Sequence, residues 1–409
     1  MVEQQGPLAS KQILQAVTGG IAAYKAADVA STLVQLGAVL DVILSEGARE
    51  FIQPLTFSAL TRRDVHTDPF AGWTPERAGH VTLAAETDLL LVVPATANSL
   101  ARLSLGLADD LVGLVALSTT APLVIAPAME HGMWRHPATQ EHVQRLQARG
   151  AHLVEPETGR LASGAVGAGR LATTDAIVGA VRLVLGRQGP LAGYSFVISA
   201  GGTHEPIDPV RFIGNRSSGL MGFALAQAAL DRGAAVTLVA GPTHLTAPYG
   251  AKVIPIETAA EMLEAIQAEV VGANVLIMAA AVSDFRPKHQ FEQKYKKEGP
   301  GSVLSLELGQ TADILATIDQ PGLIKVGFAA ETEDHVVNAQ RKLERKSLSM
   351  IIANDATATI GQEESTAVVI IRDRAPEVLP TMRKSDLAAL IVDRVESLLH
   401  VRRAERVEP

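Results

Sequence analysis

The residues best suited to chemistry stand directly after short apolar runs. Ile13–Val17 leads into Thr18-Gly19-Gly20-Ile21-Ala22-Ala23-Tyr24-Lys25, and Leu89–Val93 into Pro94-Ala95-Thr96-Ala97-Asn98. Glycine lets backbone approach an anion, and a helix start points free N–H groups at it. The small residues around Ala95 leave room for a flat ring whose edge Thr96 and Asn98 can bond. The plainer alternatives are a tight turn at Gly19-Gly20 and an N-cap at Thr96 or Asn98. His80, in Gly79-His80-Val81-Thr82-Leu83, is either structural or a base, since a neutral imidazole accepts a proton near pH 7. Leu123–Ala126 leads into Pro127-Ala128-Met129-Glu130-His131-Gly132-Met133-Trp134, where Met133 and Trp134 alone read as core or interface. The glycine-rich stretch Ala162-Ser163-Gly164 to Gly169-Arg170 is either a surface loop or a flap that closes over a site.

The second half repeats the plan with more polar groups. Phe196–Ser199 runs into Ala200-Gly201-Gly202-Thr203-His204-Glu205-Pro206-Ile207-Asp208-Pro209-Val210-Arg211, then Asn215-Arg216-Ser217-Ser218-Gly219 precedes a helical pattern. Two hydroxyls, a glycine and helix N–H groups form an anion cradle, or Ser218 is only an N-cap. Met278-Ala279-Ala280-Ala281-Val282-Ser283-Asp284 ends another apolar run, and Asp284 could hold Mg2+ beside phosphates, because Mg2+ takes one or two carboxylates plus phosphate oxygens. Lys294-Tyr295-Lys296-Lys297 is either a solvated face or a lid on a triphosphate. Thr311-Ala312-Asp313-Ile314 reads as a helix start, with Asp313 favouring the dipole or binding ribose hydroxyls. Phe328, at the strand end Val326-Gly327-Phe328-Ala329-Ala330-Glu331-Thr332, could stack on a base, and Lys342 and Lys346 share one helix face.

Strand, glycine turn, helix, Gly-Ala, strand is a βαβ unit, and it occurs twice: from Ile13 to Leu44 and from Phe196 to Ala240. Two doubly wound α/β domains in series are therefore expected, joined at Gly186-Arg187-Gln188-Gly189-Pro190. In such sheets ligands sit beyond the carboxyl ends of strands, where these motifs lie. Further strands are expected at Val275–Ala279, Ile324–Phe328, Met350–Ala353 and Ala367–Arg372, all read as buried parallel strands. Ser385–Leu399 reads as a closing helix, followed by a charged tail, Arg402–Pro409, expected to fray.

The 409 residues carry 36 Lys and Arg against 44 Asp and Glu, a net charge of −8 that argues against broad nucleic-acid binding. Any phosphates must then be held by local basic clusters. There is no Cys, which removes disulfides, thiolate metal sites and cysteine nucleophiles. The N-terminus has no signal-peptide pattern, and no apolar stretch approaches the ~20 residues of a membrane helix, so a cytoplasmic protein is expected.

The five motifs of the first half, in this order, resemble the phosphopantothenoylcysteine decarboxylase family of flavoproteins over Ile13 to Arg170. The resemblance implies a flavodoxin-like domain over 1–190 with bound FMN. Gly19, Gly20 and Ser45 would lie near its phosphate, and Pro94, Ala95, Thr96 and Asn98, with Met129, near its ring. It also implies a trimer with the flavin between subunits, and His80 as a catalytic residue. Two positions depart from the family. Glu130 stands at the Asn of the Pro-x-Met-Asn-x-x-Met-Trp motif, and Ser163 at the Cys of the flap. FMN would supply two-electron oxidation and reduction, after which a flap acid delivers a proton. A thiol of pKa ~8.5 can do that, whereas a serine hydroxyl is far weaker. Asn can donate to a substrate carboxylate, which an ionised Glu130 repels. Either His131, protonated Glu130 or water supplies the donor, or the last half-reaction is impaired.

The second half is similar to phosphopantothenate–cysteine ligase from Leu191 to about Leu399, through the strings Glu-Pro-Ile-Asp-Pro-Val-Arg and Asn-Arg-Ser-Ser-Gly. The fusion resembles the bifunctional coenzyme A biosynthesis family. It implies a Rossmann-like domain over 191–409 that joins 4'-phosphopantothenate to cysteine at the expense of CTP. The implied nucleotide residues are Gly202, Ser217, Ser218, Gly219, Met278, Ala279, Ala280, Asp284, Lys294, Thr311, Ala312, Asp313, Ile314, Phe328, Lys342 and Lys346, with Mg2+ at Asp284. Asn215 would hold the acyl-cytidylate. Thr311-Ala312 replaces a common Asn-Pro, and Leu220 a common Lys. Trimeric flavin domains and dimeric ligase domains would combine into a dodecamer. The rival readings are an active ligase with an impaired decarboxylase, and a flavin-binding regulator or scaffold.

Overall fold

The computed structural model describes residues 7–70, 79–296, 303–331, 335–355 and 362–407; Lys297 and Thr332 of the motifs above lie outside them. The chain divides into two compact units, Met1–Leu185 and Gly186–Pro409.

Among the described residues of the first unit, six parallel strands form one sheet in the order Val65–His66, Val39–Leu44, Gln12–Val17, Leu89–Ala95, Leu123–Pro127, His152–Leu153. This is order 3-2-1-4-5-6; without the two-residue edge strand Val65–His66 it is the flavodoxin order 2-1-3-4-5. All seven residues of Leu89–Ala95 are buried. Helices cover both faces, which is why the sequence reads as an unbroken apolar run rather than an alternation. The topological switch lies between Gln12–Val17 and Leu89–Ala95, whose loops carry the Gly19-Gly20 and Pro94–Asn98 motifs.

The second unit contains eight strands in one sheet: Lys252–Pro255, Ala235–Ala240, Ser195–Ala200, Val275–Met278, Ile324–Glu331, Met350–Asp355, Glu364–Ile371 and Glu377–Arg383. The first six are parallel. The strand expected at Ala367–Arg372 exists as Glu364–Ile371 but runs antiparallel, and Glu377–Arg383 pairs back onto it. An apolar run reports burial, not direction, so the parallel assignment of that strand is corrected. The closing helix runs Lys384–Val407, so the tail expected to fray from Arg402 is helical as far as Val407.

The central strand of this unit is tightly covered. Helix Leu220–Leu230 lies so close that a Cβ built on Gly222 would come within 2.5 Å of the Ala200 Cβ and 2.8 Å of the Ser199 carbonyl oxygen. Glycine is required there because backbone cannot yield as a side-chain tip can. Gly222→Ala should therefore lower stability by roughly 1–3 kcal/mol, the usual cost of overpacking. An unchanged urea-unfolding midpoint would show that the helix moves off the sheet freely.

Candidate functional site

In the first unit the strand-end loops are tied to one another. The Thr18 hydroxyl donates to the Pro94 carbonyl at 2.7 Å and accepts the Thr96 N–H at 3.2 Å. Thr96 caps helix Ala97–Leu105 by accepting the Ser99 N–H, and Ser45 caps Glu46–Arg49 by accepting that of Ala48. The N-cap reading thus holds for Thr96, while Asn98 lies within the helix. Gly19 passes over Gly47 so closely that an added Cβ would lie 2.7 Å from the Gly47 carbonyl carbon. Helix Ile21–Lys25 begins at Gly20 with no side chain capping it, so its first N–H groups open where strand Gln12–Val17 ends. Gly19, Gly20, Ser45 and Thr96 are brought together at this end, with Pro94 and Ala95 buried beneath and Asn98 exposed. This cradle of N–H groups and glycines suits the phosphate of a bound FMN.

The remaining first-unit residues divide. Met129 lies against the core, and its N–H donates to the Gly169 carbonyl at 2.9 Å, joining the Pro127–Trp134 motif to the glycine-rich stretch. That stretch is an antiparallel hairpin of Glu157–Arg160 and Val166–Arg170. Ser163 sits exposed at its tip, accepting the Ala165 N–H at 3.4 Å. The Glu130 carboxylate turns back on its own helix, accepting the Gly132 N–H at 2.5 Å as N-cap of His131–Arg135. His131 packs under Gly167, its Nδ1 3.1 Å from the Ala168 carbonyl. Trp134 is core and Met133 half-exposed. His80 is half-buried in the first turn of Gly79–Glu86.

In the second unit a cavity of about 1050 Å³ opens across the carboxyl ends of the parallel strands. Of the expected residues, Asn215, Ser217, Ser218, Gly219, Met278, Ala279, Ala280, Asp284, Thr311, Ala312, Asp313, Ile314, Phe328, Lys342 and Lys346 all line it. Gly202 and Lys294 do not. Gly202 bridges to Ala281 beneath the floor, where a Cβ would meet the Asn215 carbonyl at 2.9 Å, and Lys294 is exposed.

The walls are fixed by hydrogen bonds. The buried Thr203 hydroxyl accepts the Ser283 N–H at 2.9 Å, and the Thr311 hydroxyl donates to the Ser283 carbonyl at 2.5 Å, locking the turn that presents Asp284. The Asn215 amide donates to the Val282 carbonyl at 3.0 Å, which leaves its Oδ1 as an acceptor. The N-cap of Leu220–Leu230 is Gly219, in the left-handed conformation and without a side-chain cap, so Ser218 is not the N-cap. The Gly219 and Leu220 N–H groups donate to the Ser217 and Ser218 hydroxyls at 3.3 and 3.5 Å, and this helix start with its two hydroxyls suits a phosphate. Asp313 plays two parts at once. Its Oδ1 caps Ile314–Thr317 through the Ala316 N–H, and Oδ2 pairs with the Lys346 ammonium at 2.9 Å. Lys325 donates to the Leu315 and Ile318 carbonyls and so closes the other end of that short turn; burial lowers its ammonium below the ordinary lysine value.

Sequence reasoning missed Arg216, Gln310, Arg345, Asn354, Ser365 and Lys384, which line the same cavity. Burial lowers the Lys384 ammonium below the ordinary lysine value. Ser365 belongs to the antiparallel strand, whose beginning rather than end reaches this edge of the sheet. Among the described residues, no three His, Asp or Glu side chains gather as a metal site, so Mg2+ at Asp284 would depend on phosphate oxygens and water for its other ligands. No helix among them is long and apolar enough to cross a membrane.

Residues 1–186 match the flavoprotein family model, and residues 191–399 the DNA/pantothenate metabolism flavoprotein C-terminal domain. The chain is 42% identical over 399 residues to the coenzyme A biosynthesis bifunctional protein CoaBC of Bacillus subtilis, covering 96% of this chain and 98% of that one. Its counterpart in Vibrio vulnificus strain YJ016 is 39% identical, covering 96% and 99% of the two chains, and that of Mycobacterium bovis 40%, covering 95% and 97%. With two family models in series over nearly its whole length and relatives of the same two-part plan, the chain belongs to the family of bifunctional coenzyme A biosynthesis proteins.

Proposed function

We propose that the second unit joins 4'-phosphopantothenate to cysteine using CTP and Mg2+, and that the first binds FMN and acts on the phosphopantothenoylcysteine so made, giving 4'-phosphopantetheine. The observation that carries the ligase reading is the single cavity that gathers the Ser217–Gly219 helix start, Asp284, Phe328, Lys342 and Lys346. It offers an anion cradle, a metal carboxylate, an aromatic face and cations within one space.

A carboxylate is a poor acylating agent. Its oxygen attacks the α-phosphorus of CTP, pyrophosphate leaves, and an acyl-cytidylate remains. The cysteine amine then attacks the acyl carbon and CMP departs. Such a reaction is accelerated mainly by positioning and by neutralising charge on the transferring phosphoryl group. The start of Leu220–Leu230 with the Ser217 and Ser218 hydroxyls, and the ammonium of Lys342, suit the phosphates, and Asp284 would hold Mg2+. Lys294, exposed and outside the cavity lining, would reach the phosphates by its flexible stem. Asn215, oriented by its Nδ2 bond to the Val282 carbonyl, holds the acyl-cytidylate for the incoming amine.

In the first unit, FMN would rest its phosphate at Gly19, Gly20 and Ser45 and its ring against Pro94–Asn98; when bound it supplies two-electron oxidation and reduction. His80 serves as the base and Met129 borders the ring. The site is completed by a second copy within a trimer, and dimeric ligase units extend the assembly to a dodecamer. A second reading, a ligase whose decarboxylase stops short, is favoured by two observations. The Glu130 carboxylate is committed to its own helix, and the hairpin tip bears a hydroxyl.

Mass spectrometry of the products formed from phosphopantothenate, cysteine, CTP and Mg2+ reads both units at once. Phosphopantothenoylcysteine and CMP are expected from the second, and their absence would reject the ligase. Removing Mg2+ with EDTA should stop CTP cleavage, and Lys294→Ala should abolish it; normal turnover by that variant would remove Lys294 from the site. The purified protein should be yellow, and a preparation that cannot take up FMN would reject the flavin reading. Ser163→Cys should raise the yield of phosphopantetheine over the oxidised product. An unchanged ratio would mean that another acid already delivers the proton.

A further inference from the structure

The stretch from Glu205 to Arg211 lines no part of the cavity, yet it contains two buried carboxylates. Glu205 acts locally, since its Oε1 accepts the Ala259 N–H at 2.9 Å, at the start of helix Ala259–Glu269. Asp208 is different. Its side chain is completely shielded from solvent. Oδ1 accepts the N–H groups of Val210 and Arg211 at 2.8 and 2.9 Å, closing the turn of a hairpin made by His204–Pro206 and Phe212–Gly214. Oδ2 accepts the N–H of Tyr295, 87 residues further along, at 3.2 Å.

Three further contacts bear on the same place. The Arg211 guanidinium donates to the Tyr295 carbonyl at 3.0 Å while lying 3.6 Å from Asp208 Oδ2. The Phe291 N–H donates to the Ile207 carbonyl at 2.9 Å. The rings of Phe291 and Tyr295 lie 5.1 Å apart, tilted across the segment. The N–H of Tyr295 belongs to the peptide bond that begins at the carbonyl of Lys294. Hairpin and segment are therefore joined on both sides of Lys294, while Lys294 itself stays exposed.

Burying a carboxylate is costly unless it is paired and hydrogen-bonded, and a turn alone is closed as well by a neutral Asn or Ser. An acceptor-only group is needed where two turn N–H groups, a distant peptide N–H and a guanidinium converge. Burial pushes the Asp208 carboxyl up, but the N–H groups of Val210, Tyr295 and Arg211 outweigh it and hold the group below the usual carboxylate range, ionised and ready to accept.

We propose that Asp208, with Arg211, is a positioning residue for nucleotidyl transfer: it pins the peptide that follows Lys294, so that only the lysine side chain has to move to meet the phosphates. This rests on the role given to Lys294 above. A cation on an anchored backbone arrives in a narrow range of positions, and misplacement by about 1 Å can cost on the order of 100-fold in rate.

Asp208→Asn separates the clamp from the turn, because Oδ1 still accepts from Val210 and Arg211 while the amide nitrogen turns a donor toward the Tyr295 N–H. In the full-length protein, amide exchange at Tyr295 should accelerate while Val210 and Arg211 stay protected. The kcat for CTP-dependent pyrophosphate release should fall by roughly 10–100-fold with KM for CTP little changed. Arg211→Lys, which can keep one bond to the Tyr295 carbonyl, should fall between this variant and the wild type, and serves as the probe should Asp208→Asn not fold. With a radiolabelled assay able to follow residual turnover, adding Asp208→Asn to Lys294→Ala should cost little more than Lys294→Ala alone. Two full, independent losses would overturn the clamp while leaving Lys294 in place. Faster exchange at Tyr295 with unchanged kcat would overturn it too. Wild-type turnover by Lys294→Ala alone would instead defeat the role of Lys294, and the clamp with it.

Discussion

Covering a parallel sheet on both faces leaves its polar backbone and its side chains almost nowhere to do chemistry except at strand ends. In each unit the central strands are buried along their whole length: Leu89–Ala95 in the first, Val275–Met278 in the second. Their carbonyl ends are where the chain must turn, where helices begin, and where N–H groups lack partners within the sheet. The cavity in the second unit and the glycine cradle in the first are consequences of that one constraint. Closeness of packing is part of it, because Gly222 under Ala200 and Gly19 over Gly47 set loops at distances that a methyl group would not permit.

The strand ends would still be loose loops without cross-ties, and small hydroxyl residues supply them. Thr18 ties Pro94 and Thr96; Thr203 and Thr311 both grip Ser283. Each tie satisfies a polar group that burial would otherwise strand and fixes a neighbouring residue that faces the open space. Asn215 extends the pattern: anchored through its nitrogen, it keeps an oriented acceptor. Side chains that look catalytic by type can thus have a framing role, and Glu130 and Asp313 show how a single carboxylate caps a helix while standing at a site.

Much of this was legible in the sequence because the rule that ligands lie past the carboxyl ends of strands needs only apolar runs and the few residues after each. Ser217–Gly219, Asp284 and Phe328 are found in that way, Lys342 by its helical spacing from Lys346, and they line one cavity. The rule fails where a strand reverses or is too polar to read as an apolar run. Ser365 precedes its apolar run and so escapes it, and Lys384 directly follows strand Glu377–Arg383, whose Glu-Val-Leu-Pro-Thr-Met-Arg sequence is not an apolar run. Hairpins are equally hidden. Glu157–Arg160 with Val166–Arg170 is too short and glycine-rich to show alternation, and His204–Pro206 with Phe212–Gly214 has three-residue strands closed by Asp208, whose further bond to Tyr295 lies far along the chain. Contacts between residues distant in sequence leave no local periodicity.

An acidic chain can still carry a cationic space. Against a net charge of −8, Arg216, Lys342, Arg345, Lys346 and Lys384 converge on one cavity with the carboxylates of Asp284 and Asp313. A cleft with low-dielectric walls concentrates the field of such a cluster, so local sign matters more than the total. The cluster is also restrained in the absence of an anion. The Lys346–Asp313 pair holds one cation in place, and burial weakens the hold of Lys384 on its proton. An entering phosphate reverses both conditions, since it competes with Asp313 for Lys346 and favours the charged form of Lys384. Binding should therefore be strongest for ligands that bring several negative charges together, as a nucleoside triphosphate does, and the uncharged Leu220 faces a space whose other walls carry positive charge.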